Sequence, residues 1–148
     1  MMWMLKDIGV DWRDRNFITK LYLGQRAVVR IDGELSGCCI IRQGVRQERP
    51  LSPLLFNLHI QYVINEALED IHEGVKVGGV LIPAIQFADN QVMVSHTVRG
   101  LQVIMDALQD TSEKYNMRIN TKKTKFIRIS TVEGRTMKIT VNGQNLEE

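Results

Sequence analysis

Two apolar runs flank a short polar break between Leu81 and His96, in the sequence LIPAIQFADNQVMVSH. Both runs are rich in residues that favour strands, and Ala88-Asp89-Asn90 between them has the composition of a turn. The pattern predicts a β-hairpin with the carboxylate of Asp89 at its tip. Taken alone this is the pattern of an ordinary turn, although a carboxylate on a rigid tip also suits a divalent metal ion.

Helix and strand signals precede this hairpin. The first predicted helix ends near Gly9, and Asp11 is the predicted N-cap of a second helix. That second helix is expected to bury four side chains: Phe17, Ile18, Leu21 and Tyr22. A strand from Ala27 to Ile31, a turn over Asp32-Gly33-Glu34 and a strand from Leu35 to Arg42 are expected to follow.

Four further stretches carry helix or strand signals. Ser52 as N-cap and Pro53 at the first helical position predict a long helix. Its expected buried stripe is Leu54, Leu55, Leu58, Ile64, Leu68 and Ile71. Gly78-Gly79 predicts a small hairpin, and Thr97 is expected to cap a helix that runs to about Asn116. Met137 to Val141 predicts a strand entering a turn whose returning strand is nearly absent.

Composition narrows the class of protein. The 148 residues are 44% hydrophobic and 24% charged, which fits a single globular domain over residues 1–148 or a fragment of a larger domain. The net charge of +2 is compatible with nucleic-acid binding but too small to indicate it. Adjacent Cys38 and Cys39 with three His do not form a zinc pattern, and no apolar run has the length of a membrane span. A soluble intracellular protein is expected, either cytoplasmic or nuclear.

Three ordered blocks carry a resemblance to a known family. They are GVRQERPLSPLLFNL from Gly44, FADN from Phe87 and INTKKTK from Ile119. In this order and spacing they resemble the reverse transcriptases of non-LTR retrotransposons, whose blocks read GVRQGCPLSP, FADD and INxxKTK. The resemblance covers roughly Trp3 to Ser130. It implies an α+β fold: a palm fragment, incomplete at both ends, with an antiparallel sheet and helices packed on one face.

The same resemblance implies an activity and a set of site residues. The family extends a DNA primer on an RNA template by phosphoryl transfer assisted by two Mg²⁺ ions. Asp89 corresponds to a catalytic, metal-binding aspartate, Asn90 to a second aspartate that is substituted, and Phe87 and Ala88 to the rest of the hairpin motif. The implied nucleotide-pocket loop holds Gln47, Glu48, Pro50 and Ser52, and the implied phosphate contacts are Lys122, Lys123 and Lys125.

The chain also departs from the family pattern. Glu48-Arg49 replaces Gly-Cys and brings a negative charge to the pocket loop, and Asn90 is neutral where the family has a carboxylate. The family's partner aspartate lies on a strand ahead of the position of Trp3. We therefore expect an inactive polymerase domain in which Asp89 binds Mg²⁺ weakly or not at all, and not productively. The alternatives are an active polymerase within a longer chain, or a retrotransposon-derived nucleic-acid-binding or scaffold module.

Two interactions are expected from the remaining features. The segment from Arg118 to Lys138 carries seven basic residues against one acid, Glu133, which is usually the pattern of a solvated face. The family resemblance implies that this segment binds RNA template and DNA primer weakly. An exposed sheet edge beside the central hairpin predicts self-association. No membrane partner is expected.

Overall fold

The computed structural model describes residues 1–41, 44, 49–87, 90–130 and 137–148. The helices are α1 (Met2–Asp7), α2 (Trp12–Tyr22), α3 (Leu51–Leu68) and α4 (Val98–Lys114). The strands are β1 (Arg26–Ala27), β2 (Arg30–Ile31), β3 (Glu34–Leu35), β4 (Cys39–Ile40), β5 (Val75–Val77), β6 (Val80–Ile82), β7 (Ala84–Phe87), β8 (Asn90–Met93), β9 (Thr140–Val141) and β10 (Gln144–Asn145).

Helices and small antiparallel ladders together make an α+β protein, as predicted. The described strands pair two by two, as β1 with β4, β2 with β3, β5 with β6, β7 with β8, and β9 with β10. Within the described residues these ladders do not join into one wider sheet, and each strand is only two to four residues long. The chain divides into two compact units, Met1–His59 and Ile60–Glu148.

In the first unit, α2 begins as its sequence predicts. The Asp11 side chain accepts a hydrogen bond from the backbone N–H of Arg13 at 2.7 Å, which is a regular N-cap contact. The predicted burial of α2 is wrong in part: Ile18 is buried, whereas Phe17 is 61% and Leu21 is 45% exposed. Helix α1 packs against α2 but leaves Phe17 and Leu21 uncovered.

A two-part ribbon follows α2. Asp32 and Gly33 both adopt positive φ, at 49° and 91°, and close the β2–β3 hairpin in the manner of a type I′ turn. Glu34, predicted in the turn, belongs to β3. The outer ladder pairs Arg26 with Ile40 and Ala27 with Cys39, so the ribbon is interrupted between its two short ladders.

The start of α3 differs from the prediction. The helix begins at Leu51, so Ser52 lies inside its first turn rather than at the N-cap. Ser52 is buried, and its hydroxyl forms a hydrogen bond with the Tyr22 hydroxyl at 2.9 Å. Pro53 is tolerated there because the first helical turn has no intrahelical partner for its backbone nitrogen.

The apolar stripe of α3 also differs from the predicted one. Leu54 is 55% exposed, and Ile71 lies beyond the end of the helix at Leu68. The buried side chains are Ser52, Leu55, Val63, Ile64 and Ala67. Ser52 and Leu55, like Ile64 and Ala67, are three residues apart, and Val63 is eight residues after Leu55, so these side chains share one broad face of the helix.

The core of the second unit lies against α4. The Thr97 hydroxyl accepts a hydrogen bond from the Gly100 backbone N–H at 2.9 Å, which confirms the predicted cap. One cluster of buried side chains consists of Met105, Phe126, Ile139, Val141 and Leu146, and a second of Ile64, Ala67 and Leu108. Met93 of β8 packs against both clusters and so anchors the central hairpin to the core.

The last hairpin corrects another expectation. The returning strand, predicted to be nearly absent, is present as β10, and Asn142 and Gly143 adopt positive φ in the turn before it. Leu146 beyond β10 is buried, and its N–H donates to the carbonyl oxygen of Ile139 at 2.9 Å. The predicted Gly78-Gly79 hairpin is confirmed, with φ of 59° and 85° at the two glycines.

A polar contact joins α3 to the end of α4. The carboxylate of Glu66 accepts hydrogen bonds from the Lys114 ammonium and the Tyr115 hydroxyl. The hydrogen bond from Lys114, followed by that from Tyr115, holds the pKa of the Glu66 carboxyl below its ordinary value.

Among the described residues, none of the helices is both long enough and apolar enough to cross a bilayer.

Candidate active-site hairpin and basic segment

The central hairpin has two different faces. Its register pairs are Ala84 with Met93, Ile85 with Val92, Gln86 with Gln91, and Phe87 with Asn90. Residues alternate between the faces, because successive side chains of a strand point to opposite sides. The first and third pairs are half-buried on the face that includes Met93, whereas the second and fourth pairs are exposed. Packing on one face therefore leaves the other open at the motif residues.

Asn90 belongs to a strand of the hairpin, whereas the sequence predicts it in the turn. It is the first residue of β8 and the register partner of Phe87, not a turn residue. Asn90 and Phe87 share the exposed face, and Phe87 is 80% exposed. Ala88 and Asp89, which connect the two strands, lie outside the described residues.

The donor set can be compared with what a divalent metal requires. Mg²⁺ prefers carboxylate oxygens, and two-metal sites need several of them from different strands. Asn90 offers a neutral amide oxygen, which is a weaker ligand for a hard cation. Across the described ranges, no group of three His, Cys, Asp or Glu side chains is arranged to hold a metal ion. The described residues thus do not fit a two-metal centre, and Asp89 falls outside them.

The residues of the implied nucleotide-pocket loop are only partly described. Gln47 and Glu48 lie outside the described residues. Pro50 is exposed immediately before α3. The Ser52 hydroxyl is buried against Tyr22, so its hydrogen-bonding capacity is used inside the Met1–His59 unit.

The segment from Ile119 to Lys125 folds into a tight turn. The carbonyl oxygen of Asn120 accepts hydrogen bonds from the N–H groups of Lys123 and Thr124, at 3.0 and 2.9 Å, and from the Thr124 hydroxyl at 2.9 Å. The Thr121 hydroxyl donates to the Gln144 side chain at 2.8 Å and ties the turn to β10. Lys122, at the centre of this turn, is exposed together with Lys123.

Two acids that sequence reasoning did not single out lie beside this segment. The Lys125 ammonium is 2.9 Å from the carboxylate of Glu147, and the Arg128 guanidinium is 3.6 Å from that of Glu148. Within the described residues, Lys122 and Lys123 have no ion-pair partner. The sequence alone does not show the Lys125–Glu147 ion pair, because the fold must first bring residue 147 alongside residue 125. The basic segment is thus divided into paired and unpaired cations.

Comparison with known proteins identifies the family. The family model described as reverse transcriptase (RNA-dependent DNA polymerase) matches residues 5–145. A Retrovirus-related Pol polyprotein from type-2 retrotransposable element R2DM of Drosophila melanogaster is 32% identical over 108 residues, which is 73% of this chain and 10% of that polyprotein. A Pol polyprotein from type-1 retrotransposable element R2 of Popillia japonica is 27% identical over 135 residues, covering 88% of this chain and 18% of the relative.

The chain therefore spans less than a fifth of the length of these two relatives. Its matched region includes the pocket loop, the hairpin and the turn at Ile119–Lys125, the three blocks on which the sequence-based resemblance to non-LTR retrotransposon enzymes rested. That resemblance is confirmed. The chain belongs to the reverse transcriptase (RNA-dependent DNA polymerase) family.

Proposed function

We propose that this chain is the hairpin-bearing part of an RNA-directed DNA polymerase domain and that, as these 148 residues, it does not catalyse primer extension. The single observation that supports this is the position of Asn90. It stands at the head of β8, on the exposed face, where the family motif has a carboxylate. Members of this family generally use divalent metal ions and bind an RNA template and a DNA primer.

Negative charge on the surrounding side chains is needed to hold two divalent metal ions close together. Two divalent ions about 4 Å apart repel one another strongly, so the surrounding side chains must supply several negative charges. An amide in place of a carboxylate removes one full charge and leaves Asp89 as the hairpin's only acid. The carboxylate of Glu48 adds a negative charge to the pocket loop, and this charge would repel a triphosphate, which is itself an anion.

A primer-extension assay tests this proposal. The purified chain, with an annealed RNA template and DNA primer in Mg²⁺ or Mn²⁺, should give no extended product, while an active reverse transcriptase of the family should give a ladder. Template-dependent extension by the unmodified chain would contradict the proposal if Asp89→Ala abolished it. Asp110→Ala, at an exposed acid of α4, is the matched control and should leave any such extension unchanged.

A second function is favoured by the turn at Ile119–Lys125. Its backbone hydrogen bonds present Lys122 and Lys123 side by side to solvent, which suits contact with successive phosphates. Binding through two such contacts should be independent of sequence. It should weaken roughly tenfold between about 50 and 200 mM salt, because phosphate neutralisation releases condensed counterions.

Titration of a fluorescently labelled RNA–DNA hybrid at those two salt concentrations is the corresponding measurement. The triple change Lys122→Ala, Lys123→Ala and Lys125→Ala should remove most of the binding, whereas Lys76→Ala, at an exposed position of β5, should not. Absence of binding at low salt would remove this second function. Binding by the triple variant equal to that of the unmodified chain would do the same.

A further inference from the structure

The pair of Lys125 and Glu147 is positioned by the backbone on both sides. The two residues are register partners in a parallel bridge, and the N–H of Phe126 donates to the Glu147 carbonyl oxygen at 3.0 Å. Leu146, the neighbour of Glu147, is hydrogen-bonded to Ile139 in the last hairpin. The Glu147 main chain is therefore held in place independently of its side-chain contact.

Burial reinforces this placement. Phe126 and Leu146 flank the pair and are only 6% and 8% exposed, so both chain segments are fixed by the core cluster to which these two side chains belong. Because bridged residues project to the same side, the ammonium and the carboxylate meet at 2.9 Å. The hydrogen bond from Lys125 lowers the pKa of the Glu147 carboxyl.

We infer that Glu147 acts as a built-in competitor of nucleic-acid phosphate for Lys125, and that it favours phosphate contact by the neighbouring Lys122 and Lys123 over contact by Lys125. Glu148 acts in the same sense on Arg128, at the longer distance of 3.6 Å. This inference rests on the proposed nucleic-acid binding and specifies which cations of the segment carry it.

The competition is partial. The side chains of Lys125 and Glu147 are 59% and 77% exposed, and exposed ion pairs contribute little free energy. A phosphate can displace the carboxylate, but only at the expense of that attraction. Neutralising Glu147 should accordingly strengthen binding by a modest factor of about two to five, without creating a new site.

The test is titration of the labelled RNA–DNA hybrid against Glu147→Gln in the full chain. The variant should bind about two- to fivefold more tightly at low salt. The slope of log affinity against log salt should become steeper by about one, because one more phosphate is neutralised. Lys125→Ala should change the affinity little in the unmodified chain and should cancel the gain in the Glu147→Gln background.

The controls separate a local effect from a change in net charge. Glu69→Gln removes the same charge from an exposed position of the same unit and should leave the affinity nearly unchanged. An equal gain from Glu69→Gln would overturn the inference. Binding by the unmodified chain with no gain from Glu147→Gln would also overturn it while leaving the proposed binding intact. If neither the unmodified chain nor Glu147→Gln bound the hybrid at low salt, both this inference and the proposed nucleic-acid binding would fail.

Discussion

At the scale of single residues, Glu66 contributes to folding through two donors from the end of α4. Replacing it with Gln removes the charge that the Lys114 ammonium and the Tyr115 hydroxyl contact. We expect Glu66→Gln to lower the free energy of unfolding by roughly 1 kcal/mol, since the pair is partly exposed and the hydrogen bonds are charge-assisted. Urea unfolding at neutral pH measures this, and Glu69→Gln should have no comparable effect.

The same residue predicts a pH dependence. The pKa of Glu66 is lowered in the folded chain relative to its ordinary value of 4.5, so its stabilising effect is present above that value. It is lost as pH falls through the lowered folded-state pKa, where the carboxylate gains a proton. The stability difference between the unmodified chain and Glu66→Gln should therefore shrink below about pH 4.5. A difference that stayed constant down to pH 3 would contradict this assignment.

Contacts between residues close in sequence could be predicted from the sequence, whereas contacts between distant residues could not. Asp11 and Thr97 were predicted as caps because a cap bonds to an amide two or three residues away. Ser52 has the same chemistry, but its hydroxyl bonds to Tyr22, which is 30 residues distant. The role of Glu147 was missed for the same reason, because its partner Lys125 is brought to it only by the fold.

At the scale of an element, the β5–β6 hairpin depends on Gly74. Its φ is +156°, and a β-carbon there would lie 2.7 Å from the backbone carbonyl oxygen of Ile82. Gly74→Ala should therefore destabilise the chain by about 1–3 kcal/mol, because both the backbone angle and the close approach oppose a side chain.

Thermal unfolding provides the measurement, with Gly37→Ala as its control. A β-carbon at Gly37 would meet no atom within 4 Å, so that change should be neutral or slightly stabilising. Equal melting temperatures for the two variants would contradict the role given to Gly74.

Elements closed by local turn chemistry were predicted well. Asp32-Gly33, Gly78-Gly79 and Asn142-Gly143 all close hairpins with positive φ, which their residue types favour. Helix burial was predicted less well, because periodicity identifies an apolar face but not the element that covers it. The exposed Phe17 of α2 illustrates this limit, as does the central hairpin, where the strand β8 begins one residue earlier than expected.

At the scale of the whole molecule, exposed apolar strands predict self-association. Ile85, Phe87 and Val92 form a contiguous apolar patch on the open face of the β7–β8 hairpin, and they are 60%, 80% and 55% exposed. Within the described residues this ladder has two strands, so its outer edges remain open to pairing.

Sedimentation velocity over a range of concentrations tests this prediction. We expect the average mass to rise with concentration, and the double change Ile85→Thr and Val92→Thr to reduce the rise, since it removes cross-strand apolar surface while keeping β-favouring residues. A monomer at every concentration up to the millimolar range would contradict the prediction.

We propose that the hairpin of this reverse transcriptase chain lacks the negative charge that primer extension requires. Primer extension by a series of variants at the family motif positions tests this. Asn90→Asp alone, Glu48→Gly alone and the two changes together should all yield no product. A two-metal site needs several carboxylates from different strands, and these changes act only at the hairpin and the pocket loop. Template-dependent extension by the unmodified chain, abolished by Asp89→Ala, would contradict the claim.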